Sequence, residues 1–118
     1  MRSDPSFHLF VYGTLAPGEV NEHILKPLNG DWQSATVNGT LHPEGWGASY
    51  GFPAMRLDND AGPVDGQLFS STDLPNHWDR LDEFEGSAYK RVTTQVLLSN
   101  GEACQANVYT LNDEIVGE

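Results

Sequence analysis

Residues 91–111, RVTTQVLLSNGEACQANVYTL, decide the fold. Arg91 to Leu98 and Ala103 to Leu111 carry Val, Thr and Tyr at strand density, and Ser99-Asn100-Gly101-Glu102 separates them. Asn-Gly supplies the positive φ angles of a tight hairpin turn, so the two runs predict antiparallel neighbours. By the two-residue period of a strand, Tyr89, Arg91, Thr93 and Gln95 share one face, while Lys90, Val92, Thr94, Val96 and Leu98 take the other. The first face either lines a site or is a solvated sheet surface with an ordinary ion pair.

Upstream, Thr72 to Gly86 (TDLPNHWDRLDEFEG) predicts the clearest helix. Thr72 or Asp73 can cap it, Pro75 suits its first turn and Gly86 its exit. At about 100° per residue, with Trp78 at zero, Leu74, Leu81 and Phe84 fall near -40°, -60° and -120° and define an apolar arc. Asp79, Arg80 and Glu83 fall on the opposite, solvated side. Glu85 falls near -20°, inside the apolar arc, and Asp82 near +40°, on its edge. A carboxylate turned into apolar surroundings is penalised in its charged form, which raises its pKa toward the range of a general acid/base. The other outcome is that the helix frays at Gly86 and Glu85 turns to water.

Phe7 to Tyr12 (FHLFVY) reads as a buried first strand stopped by Gly13. The loop that leaves it, Gly13 to Gly18, can present consecutive backbone amides to an anion, or it is an ordinary strand-to-loop turn with Tyr12 as a core aromatic. Glu19 to Leu28 supports at most a short helix curtailed by Pro27. Trp32 to Leu41 predicts a second strand, with Gly39 hinting at a bulge. Tyr50 to Leu57 and Val64 to Phe69 flank the turn-forming DNDAGP and suggest a second hairpin. Residues 1–6 and 112–118 read as loose termini. Five or six strands and one or two short helices predict an α+β domain built on a small, mixed, mostly antiparallel closed sheet.

A chain of 118 residues with 38% hydrophobic residues and three Trp, four Tyr and five Phe can build one core, so a single domain over residues 1–118 is expected. Six Lys and Arg stand against 17 Asp and Glu, and the net charge of -11 repels phosphate backbones and anionic headgroups. No nucleic-acid or membrane partner is expected. The single cysteine, Cys104, forms no internal disulfide and no run approaches an apolar span, which points to a reducing, cytoplasmic setting. Oligomeric state is left open.

His8, His23, His42 and His77 lack zinc spacing. Asp58, Asp60 and Asp65 have the look of a calcium loop, but Phe69 occupies the closing position. GxSxG, Walker A and GxGxxG motifs are missing from the sequence, and no metal or cofactor is expected.

FVYGTLAPG at Phe10 to Gly18 and LDEFEGSAYKR at Leu81 to Arg91 resemble the gamma-glutamylcyclotransferase-like family, in particular its AIG2-like branch. GTL at Gly39 to Leu41, FPAM at Phe52 to Met55 and PVDGQLF at Pro63 to Phe69 follow in the family's order, so the resemblance covers residues 7–111. It implies a small mixed β-barrel with flanking helices. It also implies that Tyr12, Gly13, Thr14 and Leu15 hold the substrate, that Glu85 is the acid/base, and that Tyr89 and Arg91 are wall residues. The reaction implied is cofactor-independent closure of a γ-glutamyl group to 5-oxoproline with release of an amine or amino acid. Ala16 departs from the family's frequent Arg or Lys after YGTL, which leaves the leaving group open. A non-catalytic binding module of the same fold and an acidic interaction domain are the alternatives.

Overall fold

The computed structural model describes residues 5–12, 24–42, 54–58, 60–85 and 89–111. Six strands, β1 (His8–Val11), β2 (Asp31–His42), β3 (Ala54–Leu57), β4 (Pro63–Ser70), β5 (Tyr89–Leu98) and β6 (Ala103–Leu111), and one helix, α1 (Trp78–Glu85), make up the framework. The sheet order is β3-β2-β4-β1-β6-β5, and a further pairing of β2 with β5 closes β2, β4, β1, β6 and β5 into a five-stranded barrel. Every pairing is antiparallel except that of β1 with β6, where Leu9 faces Asn107 and Phe10 faces Val108. The small mixed, mostly antiparallel barrel with flanking short helices is the expected fold class.

β1 is buried on both faces, which explains its unbroken apolar sequence. Phe10 points into the barrel with Val37, Met55, Leu68, Val96 and Val108. Leu9 and Val11 point outward to a second core, where Leu25, Leu28, Leu74, Trp78, Leu81 and Tyr109 pack. The alternation on β6 matches: Ala106 and Val108 face in, Tyr109 faces the helix.

The β5–β6 hairpin forms as expected, with Leu97 opposite Ala103 and Arg91 opposite Tyr109. Its turn differs in detail. Leu98 accepts from the Gly101 N–H at 3.0 Å and donates to Glu102 O at 2.7 Å. Among the described residues positive φ belongs to Gly101 alone, at 92°. The connection is therefore a turn closed by a left-handed glycine, and Asn100 serves through its side chain, which accepts from the Glu102 N–H at 2.9 Å.

The second expected hairpin does not form. β3 and β4 both pair with β2, β3 over residues 39–42 and β4 over 31–38. Asn38 O accepts from the Asp58 N–H at 3.3 Å while the Gly39 N–H donates to Gly62 O at 3.1 Å. The two groups belong to one peptide and point to opposite edges, so the chain crosses β2 between β3 and β4. The twelve-residue β2 leaves free edge beyond its short pairing with β5, and β3 occupies it. Gly39 makes no bulge there, since the register runs unbroken. A Cβ on Gly39 would meet the Arg56 carbonyl oxygen, so glycine serves the close approach of β3.

The helix is shorter than expected. Leu74–Asn76 forms a 3-10 turn with Pro75 inside it, and His77, at φ -121° and ψ -1°, separates that turn from α1. The Asp73 side chain accepts from the Asn29 N–H at 2.9 Å and makes no helix-capping bond. Phe84 is 41% exposed, outside the core arc assigned to it. The N-terminal end is also more ordered than a loose terminus. Pro5–Phe7 forms a 3-10 turn, Phe7 O accepts from the Ser71 N–H, Ser6 O from the Trp78 indole, and Pro5 O from Asn107 Nδ2. Phe7 thus precedes β1. Of the weak helix at Glu19 to Leu28, residues 24–28 form a turn that buries Leu25 and Leu28; its earlier part, residues 50–53, and Gly86 lie outside the described residues. No helix is long and apolar enough to cross a membrane among the described residues.

Candidate active site

Tyr12 follows the last residue of β1 and packs against the barrel-interior core, 6.4 Å from the Phe10 ring. Its hydroxyl donates to Tyr109 O at 2.6 Å and accepts from the Met55 N–H at 3.2 Å. One phenol thereby ties together the ends of β1, β3 and β6. A buried Tyr needs such partners, and both come from backbone.

Glu85 ends α1, on the side that Trp78 and Leu81 bury. Desolvation by burial raises its carboxyl to about pKa 7. Among the described residues, the neighbours that sense its charge are tyrosines. Burial first, then Tyr89 and Glu85, push Tyr12 upward, against the hydrogen bond from Met55. Burial and Glu85 push Tyr89 up to about 12. Burial, the hydrogen bond to Asp82 and, at a lower level, Glu85 raise Tyr109. Three phenols, one just after β1, one on β5 and one on β6, thus lie within electrostatic reach of a carboxyl from α1. Each keeps its proton at neutral pH, so each can donate a hydrogen bond and none supplies a compensating positive charge.

Tyr12, Glu85 and Tyr89, named from the sequence, are brought together. Gly13, Thr14, Leu15 and Ala16 lie outside the described residues. Arg91 is turned to a different task. Its Nε and Nη2 donate to the two oxygens of Asp82 at 2.8 and 3.1 Å, its Nη1 reaches Asn107 Oδ1 at 3.4 Å, and its guanidinium lies 4.5 Å from the Trp78 ring centroid. Burial alone would raise Asp82, but the hydrogen bonds from Arg91 and Tyr109 and the Arg91 charge hold it below the usual carboxylate range. Asp82 and Tyr109 were not singled out as site residues from the sequence. The signal was present in the hairpin register, which sets Arg91 opposite Tyr109.

Among the described residues no three His, Cys, Asp or Glu side chains cluster as metal ligands. Burial raises the Cys104 thiol, as for a packed cysteine. A groove lined by Thr36, Asp65, Leu97 and Ser99 contains none of the constellation around Glu85.

What this arrangement can do is move a proton. A carboxyl poised near neutrality beside a strand end is suited to take a proton from one atom and return it to another.

The family model for gamma-glutamyl cyclotransferase, AIG2-like, matches residues 9–118. No curated protein matches the chain significantly. Among solved structures, YkqA from Bacillus subtilis is 28% identical with a TM-score of 0.67; the alignment covers 89% of this chain and 35% of that one. An AIG2-like protein from Mus musculus is 25% identical with a TM-score of 0.65, over 87% of this chain and 75% of that one. A gamma-glutamyl cyclotransferase, 18% identical with a TM-score of 0.66 over 90% of this chain and 66% of that one, shares the fold. The chain thus spans about a third of the Bacillus protein's length. With the barrel described and the family model matched over nearly its whole length, the chain belongs to the AIG2-like gamma-glutamyl cyclotransferase family.

Proposed function

We propose that the protein cyclises a γ-glutamyl group to 5-oxoproline and releases an amine or amino acid, with Glu85 as the general acid/base. The observation that carries this reading is a buried carboxyl at the end of α1, raised to about 7 by desolvation, whose charge Tyr12, Tyr89 and Tyr109 sense. The α-amine of the γ-glutamyl group attacks its own γ-carbonyl carbon. The bond from that carbon to the leaving nitrogen breaks, and the two protons shed by the α-ammonium are the two that the departing amine gains. Glu85 starts as the carboxylate, takes one proton from the attacking nitrogen and gives it to the leaving one. Nucleophile and electrophile share a molecule, so the site must fold the substrate and relay protons, and no redox partner or activated donor enters the balance.

In this reading the amides of Gly13 to Leu15 hold the substrate carboxylate, and Tyr12 and Tyr89 form the wall beside Glu85. Family membership and the agreement between the off-phase position of Glu85 and its burial support it. Arg91, engaged by Asp82, serves the site through α1. The test is incubation with a panel of γ-glutamyl amines and peptides, followed by detection of 5-oxoproline. Release by the wild type and its loss in Glu85→Gln are expected. Turnover by the variant at the wild-type rate would refute the role of Glu85, and ligand-induced stabilisation without product would favour a binding module.

A further inference from the structure

Glu85 sits on the last turn of an eight-residue helix, too short to hold its own position without docking. Trp78 and Leu81 bury one side of that helix, but apolar packing alone is non-directional and sets no angle. The Trp78 indole fixes the start of the helix by donating to Ser6 O at 3.0 Å, and one turn before Glu85 the directional contacts come from Asp82. Its Oδ1 accepts from the Tyr109 hydroxyl at 2.7 Å and from Arg91 Nε at 2.8 Å, and its Oδ2 accepts from Arg91 Nη2 at 3.1 Å. Tyr109 is itself held at both ends. Its side chain bonds α1, and its main-chain carbonyl accepts from Tyr12 at 2.6 Å.

We propose that Asp82 and Tyr109 are positioning residues, which set the placement of Glu85 against Tyr12 by bonding α1 to the same residue of β6 that fixes the end of β1. The path has three links: Tyr12 to the Tyr109 carbonyl, the Tyr109 phenol to Asp82, and one helical turn from Asp82 to Glu85. Arg91 supports the middle link from β5 and is braced by Asn107 and Trp78. This rests on Glu85 being the proton carrier, and it adds how that group is held. A proton relay tolerates little slack, since displacing a reacting group by about 1 Å lowers the rate as much as a hundredfold.

The test uses Tyr109→Phe and Asp82→Asn in the full chain. The first removes only the phenol oxygen and keeps the ring in the core. The second keeps an oxygen that can accept from Tyr109 but lacks the charge that holds Arg91. Two readouts are taken. Steady-state release of 5-oxoproline should show kcat down about tenfold in Tyr109→Phe, with KM within about twofold and a smaller loss in Asp82→Asn. Direct NMR titration of the Glu85 side-chain carboxyl should show its midpoint falling by about one pH unit in Tyr109→Phe, as α1 loosens and water reaches the carboxyl. Among the described residues, Tyr12, Tyr89 and Tyr109 sense the Glu85 charge and are uncharged at that pH, and the charge of Asp82, one turn away, is matched by Arg91. The midpoint therefore follows solvation.

The titration does not depend on turnover. If the wild type releases no 5-oxoproline, the proposed reaction fails, while a shifted Glu85 midpoint in Tyr109→Phe still supports the positioning role. An unmoved midpoint in Tyr109→Phe overturns that role, even where the variant melts at lower temperature. Such a result would make the Tyr109 hydroxyl a stabilising contact only.

Discussion

Asp82 and Glu85 occupy the same eight-residue helix three positions apart, yet Asp82 is held as a carboxylate and Glu85 is pushed toward the neutral acid. Both lose hydration on folding. Asp82 meets a guanidinium fork and a phenol donor, which outweigh the loss. Glu85 lies within electrostatic reach of phenols whose own ionisation is suppressed, and no group among the described residues offsets its desolvation. The comparison separates two uses of an acidic residue. Asp82 is an anchor, because its charge is permanently matched. Glu85 is suited to proton transfer, because its charge is left unmatched at the pH where it would work.

The most direct way to break that contrast is to remove the proton from Glu85. Glu85→Gln preserves shape and is expected to reduce 5-oxoproline release about a thousandfold, in the range general acid/base removal gives. Asp82→Asn leaves the proton carrier in place, so its loss should be far smaller. Equal losses in the two variants would erase the distinction.

The contrast also has a signature in stability against pH. Folding moves Glu85 from 4.5 to about 7. Between those values the folded chain binds more protons than the unfolded chain, so this group makes stability fall as pH rises through that window and stay low above it. The size is about 3 kcal/mol at pH 8, at roughly 1.4 kcal/mol per unit. Glu85→Gln should therefore unfold at higher urea than wild type at pH 8, with the gap closing near pH 4.5. A gap independent of pH would mean that the gain has another source.

Much of the barrel was legible before any coordinates. The β5–β6 hairpin follows from two β-rich runs about an Asn-Gly turn, and the misfit of Glu85 follows from counting around a helix. What stayed hidden was decided by partners distant in sequence. β3 and β4 look like a hairpin locally, but β2 is long enough to take both, one on each edge. The helix reads as continuous from Thr72, while the turn at His77 restarts it at Trp78. Phe84 fits the apolar arc by spacing but stays 41% exposed, outside both core clusters. Tyr109 shows the same limit at the site. Its role needs both the hairpin register and the docking of α1, and only the register could be read ahead.

Asp82→Ala sharpens the contrast from the other side. It leaves the Tyr109 hydroxyl and the Arg91 guanidinium without their acceptor, and the expected loss at pH 7 is about 1–2 kcal/mol, most of it from the phenol. The ion pair itself contributes less, because its side chains are 29% and 42% exposed and water screens them. The lowered pKa of Asp82 gives the opposite slope to Glu85: its contribution is present above the unfolded carboxylate range and disappears as pH falls through the folded value. The gap between wild type and Asp82→Ala should narrow in acid, where wild type and Glu85→Gln converge, and the two variants should separate from wild type in opposite directions at neutral pH. Arg91→Lys isolates the smallest component. Lysine keeps the charge but loses the two-pronged bond to Asp82 and the guanidinium over the Trp78 ring, so about 0.5 kcal/mol is expected, shrinking in high salt. A loss from Arg91→Lys as large as that from Asp82→Ala would assign the anchor to the guanidinium, and the Tyr109 hydroxyl would no longer be the bond that ties α1 to the barrel.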